Sequence, residues 1–202
     1  MSERNRRAAL LPVAFFARPA DVVARELLGQ VLVVEGAAGR VGGRIVETEA
    51  YLGGDDPASH AAGLRRTERN AAIYGPPGTW YVYLSYGMHW CANLVTGPPG
   101  QGAAVLLRAV EPLVGLELME ARRGTTRPRL LCAGPGRLCQ ALGIDRTLDG
   151  QAMRRSMARV TAGPGIPAGQ VRATPRVGIS KAADWPLRFL EAGSPWVSGP
   201  RG

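Results

Sequence analysis

Two strand-like runs at the centre of the chain, on either side of Tyr86 and Gly87, most constrain the fold. The runs TWYVYLS and MHWCANLV are rich in residues that favour strands, and a two-residue turn ending in glycine is typical of a tight hairpin. Upstream, 30–35 and 40–51 predict a second pair of strands around the turn GAAG. These segments predict a sheet that is assembled from hairpins.

Helical and strand patterns also occur elsewhere. Proline in the first turn and glycine at the end are typical of helices, and three segments show this pattern or part of it: 19–29, 112–122 (opened by Pro112) and 134–143. The apolar run 103–110 predicts a buried strand that Arg108 interrupts. Two later runs predict closing strands: 171–180 and 185–191. The chain is therefore expected to mix helices with a sheet.

Length and composition predict a single domain over 1–202. The 202 residues are 46% hydrophobic, which permits a full core, and no internal repeat or linker divides them. Within this domain we expect an N-terminal arm at 1–16, an irregular segment at 145–170 and a tail at 199–202. The segment 145–170 is weakly patterned and rich in Gly and Pro towards its end.

A pair of carboxylates on the second strand provides the first candidates for chemistry. Alternate residues of a strand point to the same side, so Glu47, Glu49 and Tyr51 share one face. The intervening residues face the other way: Val46, Thr48 and Ala50. A carboxylate beside a ring and a second carboxylate is able to act as a general base, which makes Glu49 the catalytic candidate. A structural ion pair between Glu49 and an arginine such as Arg108 is the alternative.

Aromatic residues are concentrated next to these carboxylates. Seven of the nine Trp and Tyr residues lie between Tyr51 and Trp90. Tyr81 and Tyr83 share a strand face and are able to line a stacking pocket, although ordinary sheet packing also explains them. Tyr86, near the hairpin tip, is poorly placed for a core, and such a ring is able to wedge between bases. Rings and carboxylates on a basic chain suggest a pocket that holds a flat base and hydrolyses a neighbouring bond.

Two further polar residues have both a functional and an ordinary explanation. His60 lies in the long loop 52–78, and loops of this length inside a compact domain are often functional. Asn93 is a single amide in an apolar strand. A satisfied hydrogen bond, without any ligand, explains either residue equally well.

Charge and residue counts narrow the possible partners and chemistry. The net charge of +9 favours a polyanion, nucleic acid first and an anionic membrane surface second. Lys181 is the only lysine, which disfavours a Schiff-base mechanism. Three cysteines and two histidines match neither a disulfide framework nor a metal site, so we expect no cofactor. The apolar run near the N-terminus is too short for export or membrane insertion, which predicts a cytoplasmic protein.

Six motifs, in order along the chain, resemble the alkyladenine (3-methyladenine) DNA glycosylase family. They are IVETEAYLG, the His60 loop, TWYVYLSYGMHWCAN, VLLRAVEPLVGLE, LCAGPGRLCQALGI and GSPWVS. The resemblance runs from about Ala17 to Ser198 and implies an α+β (mixed α/β) domain with a curved antiparallel β-sheet, flanking helices and a protruding β-hairpin. It departs over 145–170, where RRSMARV stands in place of a more acidic stretch.

The resemblance implies a monofunctional enzyme of base excision repair. Such an enzyme flips an alkylated or deaminated purine out of duplex DNA: 3-methyladenine, and in broader members 7-methylguanine, hypoxanthine or ethenoadenine. Glu49 then activates a water that attacks C1′ of the nucleotide, Arg108 helps to position the water, and an abasic site remains. Tyr51 stacks on one face of the base, with His60 and Tyr83 on the other.

The remaining roles that the resemblance implies concern specificity and DNA distortion. The backbone at His60 reads the six position of the purine, and Asn93 helps to reject a guanine amino group. Tyr81 supports the pocket, and Tyr86 fills the space that the base leaves. The expected partner is double-stranded DNA containing damaged purines, bound by a monomer associated with the nucleoid.

Two alternatives remain open from the sequence. A non-catalytic nucleic-acid-binding module of related fold, similar to the C-terminal domain of methionyl-tRNA formyltransferases, needs the basic surface but not the combination of Glu49, Tyr51 and Arg108. A carbohydrate hydrolase is able to use Glu47 and Glu49, because alternate strand residues lie roughly 6.5–7 Å apart, near the separation of inverting enzymes.

Overall fold

The computed structural model describes residues 9–199. Four α-helices lie in this range: α1 (Val13–Phe16), α2 (Ala20–Leu27), α3 (Leu116–Arg123) and α4 (Pro135–Leu142). Its eight strands are β1 (Val31–Gly36), β2 (Gly39–Tyr51), β3 (Trp80–Ser85), β4 (His89–Thr96), β5 (Ala103–Val114), β6 (Ala158–Thr161), β7 (Val171–Thr174) and β8 (Arg188–Glu191). None of the helices in this range has the length and hydropathy needed to cross a membrane.

The strands form one antiparallel sheet that branches at β2. Its main path runs β3-β4-β5-β2-β1-β6, and every pairing along it is antiparallel. β2 is long enough to pair with β5 along one edge and with two strands along the other. Its first half, 39–44, pairs with β1, and its second half, 47–49, pairs with β8. The predicted α+β class, single antiparallel sheet and hairpin are therefore confirmed.

Helices cover one face of the sheet and leave the other for the site. Buried apolar side chains of α2 and α4 join those of the central strands in one main core, represented by Leu27, Ala50 and Leu142. The Oγ of Thr48 donates a hydrogen bond to the carbonyl of Ala24 on α2. Glu49 therefore projects from the opposite face of β2, as the alternation predicts.

Two register shifts between β2 and β5 surround the predicted chemistry. Ile45 pairs with Val110 and Glu47 with Ala109, which leaves Val46 unmatched on β2. The next pairing, of Thr48 with Leu107, leaves Arg108 unmatched on β5. Irregularities of this kind re-aim side chains, and they are common beside active sites.

The first shift changes one detail of the predicted alternation. Val46 was expected to share a face with Thr48 and Ala50, but it packs in a separate small cluster with Leu190 and Val197. The reason is the extra residue in β2, which reverses the alternation at that point.

The prediction that Pro112 opens a helix is wrong. Pro112 lies in β5, opposite Gly43, and the strand continues to Val114. Gly115 then adopts a left-handed backbone with φ 73°, and α3 begins one residue later. A side chain at Gly115 would meet the carbonyl oxygen of Arg40 at 2.4 Å, so the turn into α3 requires glycine.

The segment 145–170 is more ordered than predicted. It holds β6 and the short 3-10 helices 146–148, 153–155 and 168–170. Its side chains at Leu148 and Met153 are buried in the main core.

Of the predicted arm, residues 9–16 include α1, and residues 1–8 lie outside the described range, as do residues 200–202 of the tail. Within residues 9–199, no three His, Cys, Asp or Glu side chains are grouped closely enough to hold a metal ion.

Candidate active site

A cavity of about 450 Å³ opens beside the β3–β4 hairpin, on the face of the sheet that the main helices leave free. Glu47 does not line it, whereas eight other residues that the sequence singled out do: Glu49, Tyr51, His60, Tyr81, Tyr83, Tyr86, Asn93 and Arg108. They come from β2, β3, β4, β5, the hairpin tip and the loop 52–78. The sheet therefore brings together residues that lie up to 59 positions apart in sequence.

Glu49 is fully buried at this cavity, accepts two hydrogen bonds and forms one ion pair. Its Oε1 accepts from the backbone N–H of Val177 at 2.8 Å and contacts Nη1 of Arg108 at 3.1 Å. Its Oε2 accepts from the hydroxyl of Tyr51 at 3.0 Å. Each carboxylate oxygen has about two acceptor positions, so Oε2 keeps one that is not used by these contacts.

Glu47 has different surroundings although it lies only two residues away. Its Oε1 accepts from Nε of Arg108 at 2.9 Å, from Nε of Arg188 at 2.7 Å and from Oγ of Ser198 at 2.9 Å. Its Oε2 accepts from the backbone N–H of Ser198 at 2.5 Å. Glu47 does not line the cavity. Its contacts hold the C-terminal segment and two arginines in place.

Arg108 links the two carboxylates and is 6% exposed. Burial lowers the pKa of Arg108, but the negative charges of Glu49 and Glu47 outweigh burial and raise it above its ordinary value. The guanidinium therefore stays charged. With Nε on Glu47 and Nη2 on Ser198, Nη1 is directed at Glu49.

Three rings form one wall of the cavity. The rings of His60 and Tyr83 meet edge to face, with centroids 4.4 Å apart, and Tyr81 lies 5.5 Å from Tyr83. The hydroxyl of Tyr81 and Nδ1 of His60 are 2.7 Å apart. Desolvation, with a smaller contribution from Arg69, lowers the pKa of His60, so the imidazole is neutral at neutral pH. Burial also raises the pKa of Tyr83, which keeps this phenol uncharged.

Asn93, on β4, is one of the residues that line the cavity. It is buried, and its Nδ2 donates to the carbonyl of Tyr81 at 3.0 Å across the strand pair. This bond fixes the orientation of the amide. Asn93 is therefore a hydrogen-bonded buried amide, which was one of the two interpretations of this residue in the sequence. It also lines the cavity.

Tyr86 lies at the tip of the hairpin, where the cavity opens. It is 85% exposed, and Met88 beside it is 71% exposed. Tyr86 and Gly87 both have positive φ, 50° and 68°, as a tight hairpin turn requires. A large exposed ring on a strained turn has no packing role within the fold.

Comparison with known proteins gives a consistent result. Residues 14–195 match the model of the family described as methylpurine-DNA glycosylase (MPG). The chain belongs to this methylpurine-DNA glycosylase family. It is similar to proteins named "Putative 3-methyladenine DNA glycosylase" from Nitrosospira multiformis (51% identical; 93% of each chain covered) and Koribacter versatilis (49%; 96% of this chain and 95% of the relative). A third, from Rhizobium meliloti, is 52% identical over 92% of this chain and 95% of its own.

Membership in the methylpurine-DNA glycosylase family confirms the resemblance inferred from the six motifs. It also confirms the enzyme class, a DNA-3-methyladenine glycosylase, and a function in DNA repair. The similarity extends over most of each of these relatives.

The loop after β7 of this glycosylase was not predicted from its sequence. The run 171–180 was predicted as a strand, but β7 ends at Thr174, and the next residues turn into the cavity. Val177 donates its N–H to Glu49, and Arg176 lies over the ring of Tyr51, with Cζ 4.7 Å from the centroid. Pro175 was the available signal, because proline cannot donate to a strand ladder and disfavours strand continuation.

A second contact that the sequence did not predict joins the loop 52–78 to the hairpin. Arg69 lines the cavity, and its Nη2 donates to the carbonyl of Leu84 at 2.8 Å. The basic run LRRTERN was predicted as loop, whereas 68–74 forms a 3-10 helix whose start is capped by Thr67 and Asn70. This cap fixes the position from which Arg69 reaches β3.

Proposed function

We propose that this protein is a monofunctional DNA glycosylase that hydrolyses the N-glycosidic bond of alkylated or deaminated purines. The proposed substrates are 3-methyladenine and, as further lesions, 7-methylguanine, hypoxanthine and ethenoadenine in double-stranded DNA. The observation that carries the proposal is a buried carboxylate, Glu49, with one open acceptor position at a ring-lined cavity. The enzyme leaves an abasic site for base excision repair.

Glu49 is proposed as the general base. A water that donates to the open position on Oε2 loses its proton to the carboxylate while its oxygen bonds to C1′ of the flipped nucleotide. The electron pair of the C1′–N bond leaves with the base. A positioned general base contributes about 10²–10⁴ in rate, which sets the scale of its removal.

Arg108 is proposed to position the water and to hold Glu49 in its orientation. Its Nη1 already lies 3.1 Å from Oε1 of Glu49, and its other nitrogens are occupied by Glu47 and Ser198. The guanidinium is thus unable to rotate away. It also offsets the negative charge of Glu49, which would otherwise be costly to bury.

The aromatic residues are proposed to hold the flipped base. Tyr51 would stack on one face, with His60 and Tyr83 on the other and Tyr81 in support. Electron-rich rings attract an alkylated purine, because it carries positive charge, by about 0.5–2 kcal/mol per cation–π contact. Asn93 would lie under the base and disfavour a guanine amino group, and the backbone at His60 would read the six position of the purine.

Tyr86 is proposed to wedge into the minor groove. An exposed ring on a rigid turn beside the cavity is suited to fill the space that a flipped base leaves. Unstacking costs a few kcal/mol, and damaged bases cost less, which favours capture of lesions. We also propose a monomer, which works on the DNA of the nucleoid in the cytoplasm.

The contacts of Glu47 argue against a carbohydrate hydrolase that uses both carboxylates. Four hydrogen bonds from Arg108, Arg188 and Ser198 occupy the carboxylate of Glu47, which does not line the cavity. It is therefore unable to serve as a general acid. A measurement of base release distinguishes the proposed enzyme from a non-catalytic binding module, which would bind the lesion without releasing the base.

The test is base release from duplexes that carry one 3-methyladenine, 7-methylguanine, hypoxanthine or ethenoadenine, by the wild type and by Glu49→Gln. The expected result is release of at least one base by the wild type, with loss of turnover and retention of lesion binding in Glu49→Gln. Tight binding without release by the wild type would identify a binding module instead.

A further inference from the structure

Arg176 is a buried cation next to the cavity for which the reaction has no use. Its guanidinium lies over the ring of Tyr51, with Cζ 4.7 Å from the ring centroid. Tyr51 lines the cavity, whereas Arg176 is not among the described residues that do. We therefore assign the guanidinium to the face of the ring that is turned away from the cavity.

Asp56 and the backbone hold this guanidinium in place. Nη1 and Nη2 of Arg176 contact the two carboxylate oxygens of Asp56 at 2.5 and 2.9 Å, and Nη1 also donates to the carbonyl of Ala50 at 3.0 Å. Asp56 is fully buried and Arg176 is 5% exposed. The positive member of this ion pair is the one that lies over the ring.

The positive charge of Arg176 affects the pKa of Tyr51. Burial and the neighbouring Glu49 raise the pKa of the Tyr51 phenol, and the positive charge of Arg176 opposes that rise. Because an aromatic ring attracts a cation through the negative charge on its faces, a cation already on one face weakens the attraction of the other face for a second cation.

We infer that Arg176 is a specificity-determining residue, which reduces the preference of the pocket for positively charged purines relative to neutral ones. The inference rests on the proposed stacking of the flipped base against Tyr51. In 3-methyladenine nucleotides the linked base is cationic, whereas ethenoadenine is neutral. Arg176 would thus broaden the substrate range towards neutral lesions without contacting any of them.

The experiment measures the ratio of two single-turnover release rates for each variant. The substrates are 3-methyladenine in freshly methylated duplex DNA and a duplex with one ethenoadenine. The double variant Arg176→Met with Asp56→Asn removes both members of the ion pair, so no charge is left buried without a partner. Asp56→Asn alone keeps the cation and removes its counter-charge.

The two variants are expected to change the ratio in opposite directions. The double variant should raise the rate for the cationic base relative to the neutral one by about three- to tenfold, the scale of one cation–π contact. Asp56→Asn should lower the same ratio. Arg25→Met is the matched control, because Arg25 lies over the ring of Phe189 at 4.3 Å, away from the cavity, and its loss should leave the ratio unchanged.

Equal loss of both rates, with the ratio unchanged, would show that Arg176 only supports the pocket. If the double variant fails to fold, Asp56→Asn and Arg176→Lys decide the matter: the first must lower the ratio, and the second, which keeps the charge, must stay near wild type. An unchanged ratio in Asp56→Asn overturns the inference and leaves the proposed glycosylase intact. If the wild type releases neither base, nor 7-methylguanine or hypoxanthine from their duplexes, the proposed glycosylase and the inference are both overturned.

Discussion

Replacing Glu47 by glutamine should destabilise the fold more than any exposed charge substitution. Glu47 is fully buried, and it accepts from Nε of Arg108, Nε of Arg188, and both N–H and Oγ of Ser198. Loss of its charge leaves two buried guanidinium groups without that counter-charge. Breaking a buried ion pair in this way costs about 3–5 kcal/mol. We expect about 3 kcal/mol for Glu47→Gln, because the amide oxygen still accepts hydrogen bonds.

Urea unfolding, followed by circular dichroism, measures this loss. With an m-value of about 2 kcal/mol/M, a loss of about 3 kcal/mol lowers the midpoint by about 1.5 M. Glu26→Gln is the matched control: Glu26 pairs with Arg18, but its side chain is 50% exposed, so the change should cost at most about 1 kcal/mol. Equal midpoints for the two variants would refute the assignment of Glu47 as the buried anchor of the C-terminal segment.

Three further predictions concern DNA binding and pH. Tyr86→Ala should reduce release from duplex DNA more than release from single strands, and an equal loss on both would exclude the wedge role. Binding to lesion duplexes should weaken with salt, with log K falling by about 0.9 per phosphate contact for each unit of log salt concentration; binding that is indifferent to salt would contradict a contact with the phosphate backbone. Burial raises the pKa of Asp56, but hydrogen bonds from Arg176 and from the N–H groups of Ala58 and Leu52 outweigh it and hold the pKa below 3.8. The resulting stability is present above pH 3.8 and is lost as the pH falls through the lower folded value, so acid unfolding curves should show a smaller pH dependence for Asp56→Asn than for the wild type.

Alternation and turn chemistry were sufficient to predict the centre of the sheet. The hairpin at Tyr86 and Gly87 follows from a local rule on two-residue turns, and the shared face of Glu47 and Glu49 follows from the period of a strand. Both depend only on near neighbours in sequence. The same is true of α2, which lies within the segment 19–29 predicted from its terminal proline and glycine.

The predictions that were wrong depend on contacts between distant segments. Pro112 is compatible with a helix start, but pairing with β2 extends the strand past it, and Gly115 sets the actual boundary. The register shifts at Val46 and Arg108 arise between two strands, so neither strand alone reveals them.

Part of the site was hidden from the sequence for the same reason. Val177 contributes a backbone N–H, which carries no residue-specific signal. Arg176 and Asp56 are 120 positions apart, and each is an ordinary charged residue in a loop. Family motifs identified eight of the residues that line the cavity, whereas the contacts behind them required the three-dimensional structure.

The most direct test of the account compares Glu49→Gln with Glu47→Gln in single-turnover release of one lesion base, at a temperature at which circular dichroism shows both variants folded. The account assigns chemistry to Glu49 and structure to Glu47, although they are two residues apart on one strand face. It predicts that Glu49→Gln loses at least about 10²-fold in rate, the contribution of a general base, while keeping wild-type affinity for lesion DNA. It predicts a much smaller loss for Glu47→Gln. Equal losses in the two variants, or release by Glu49→Gln at close to the wild-type rate, would contradict it.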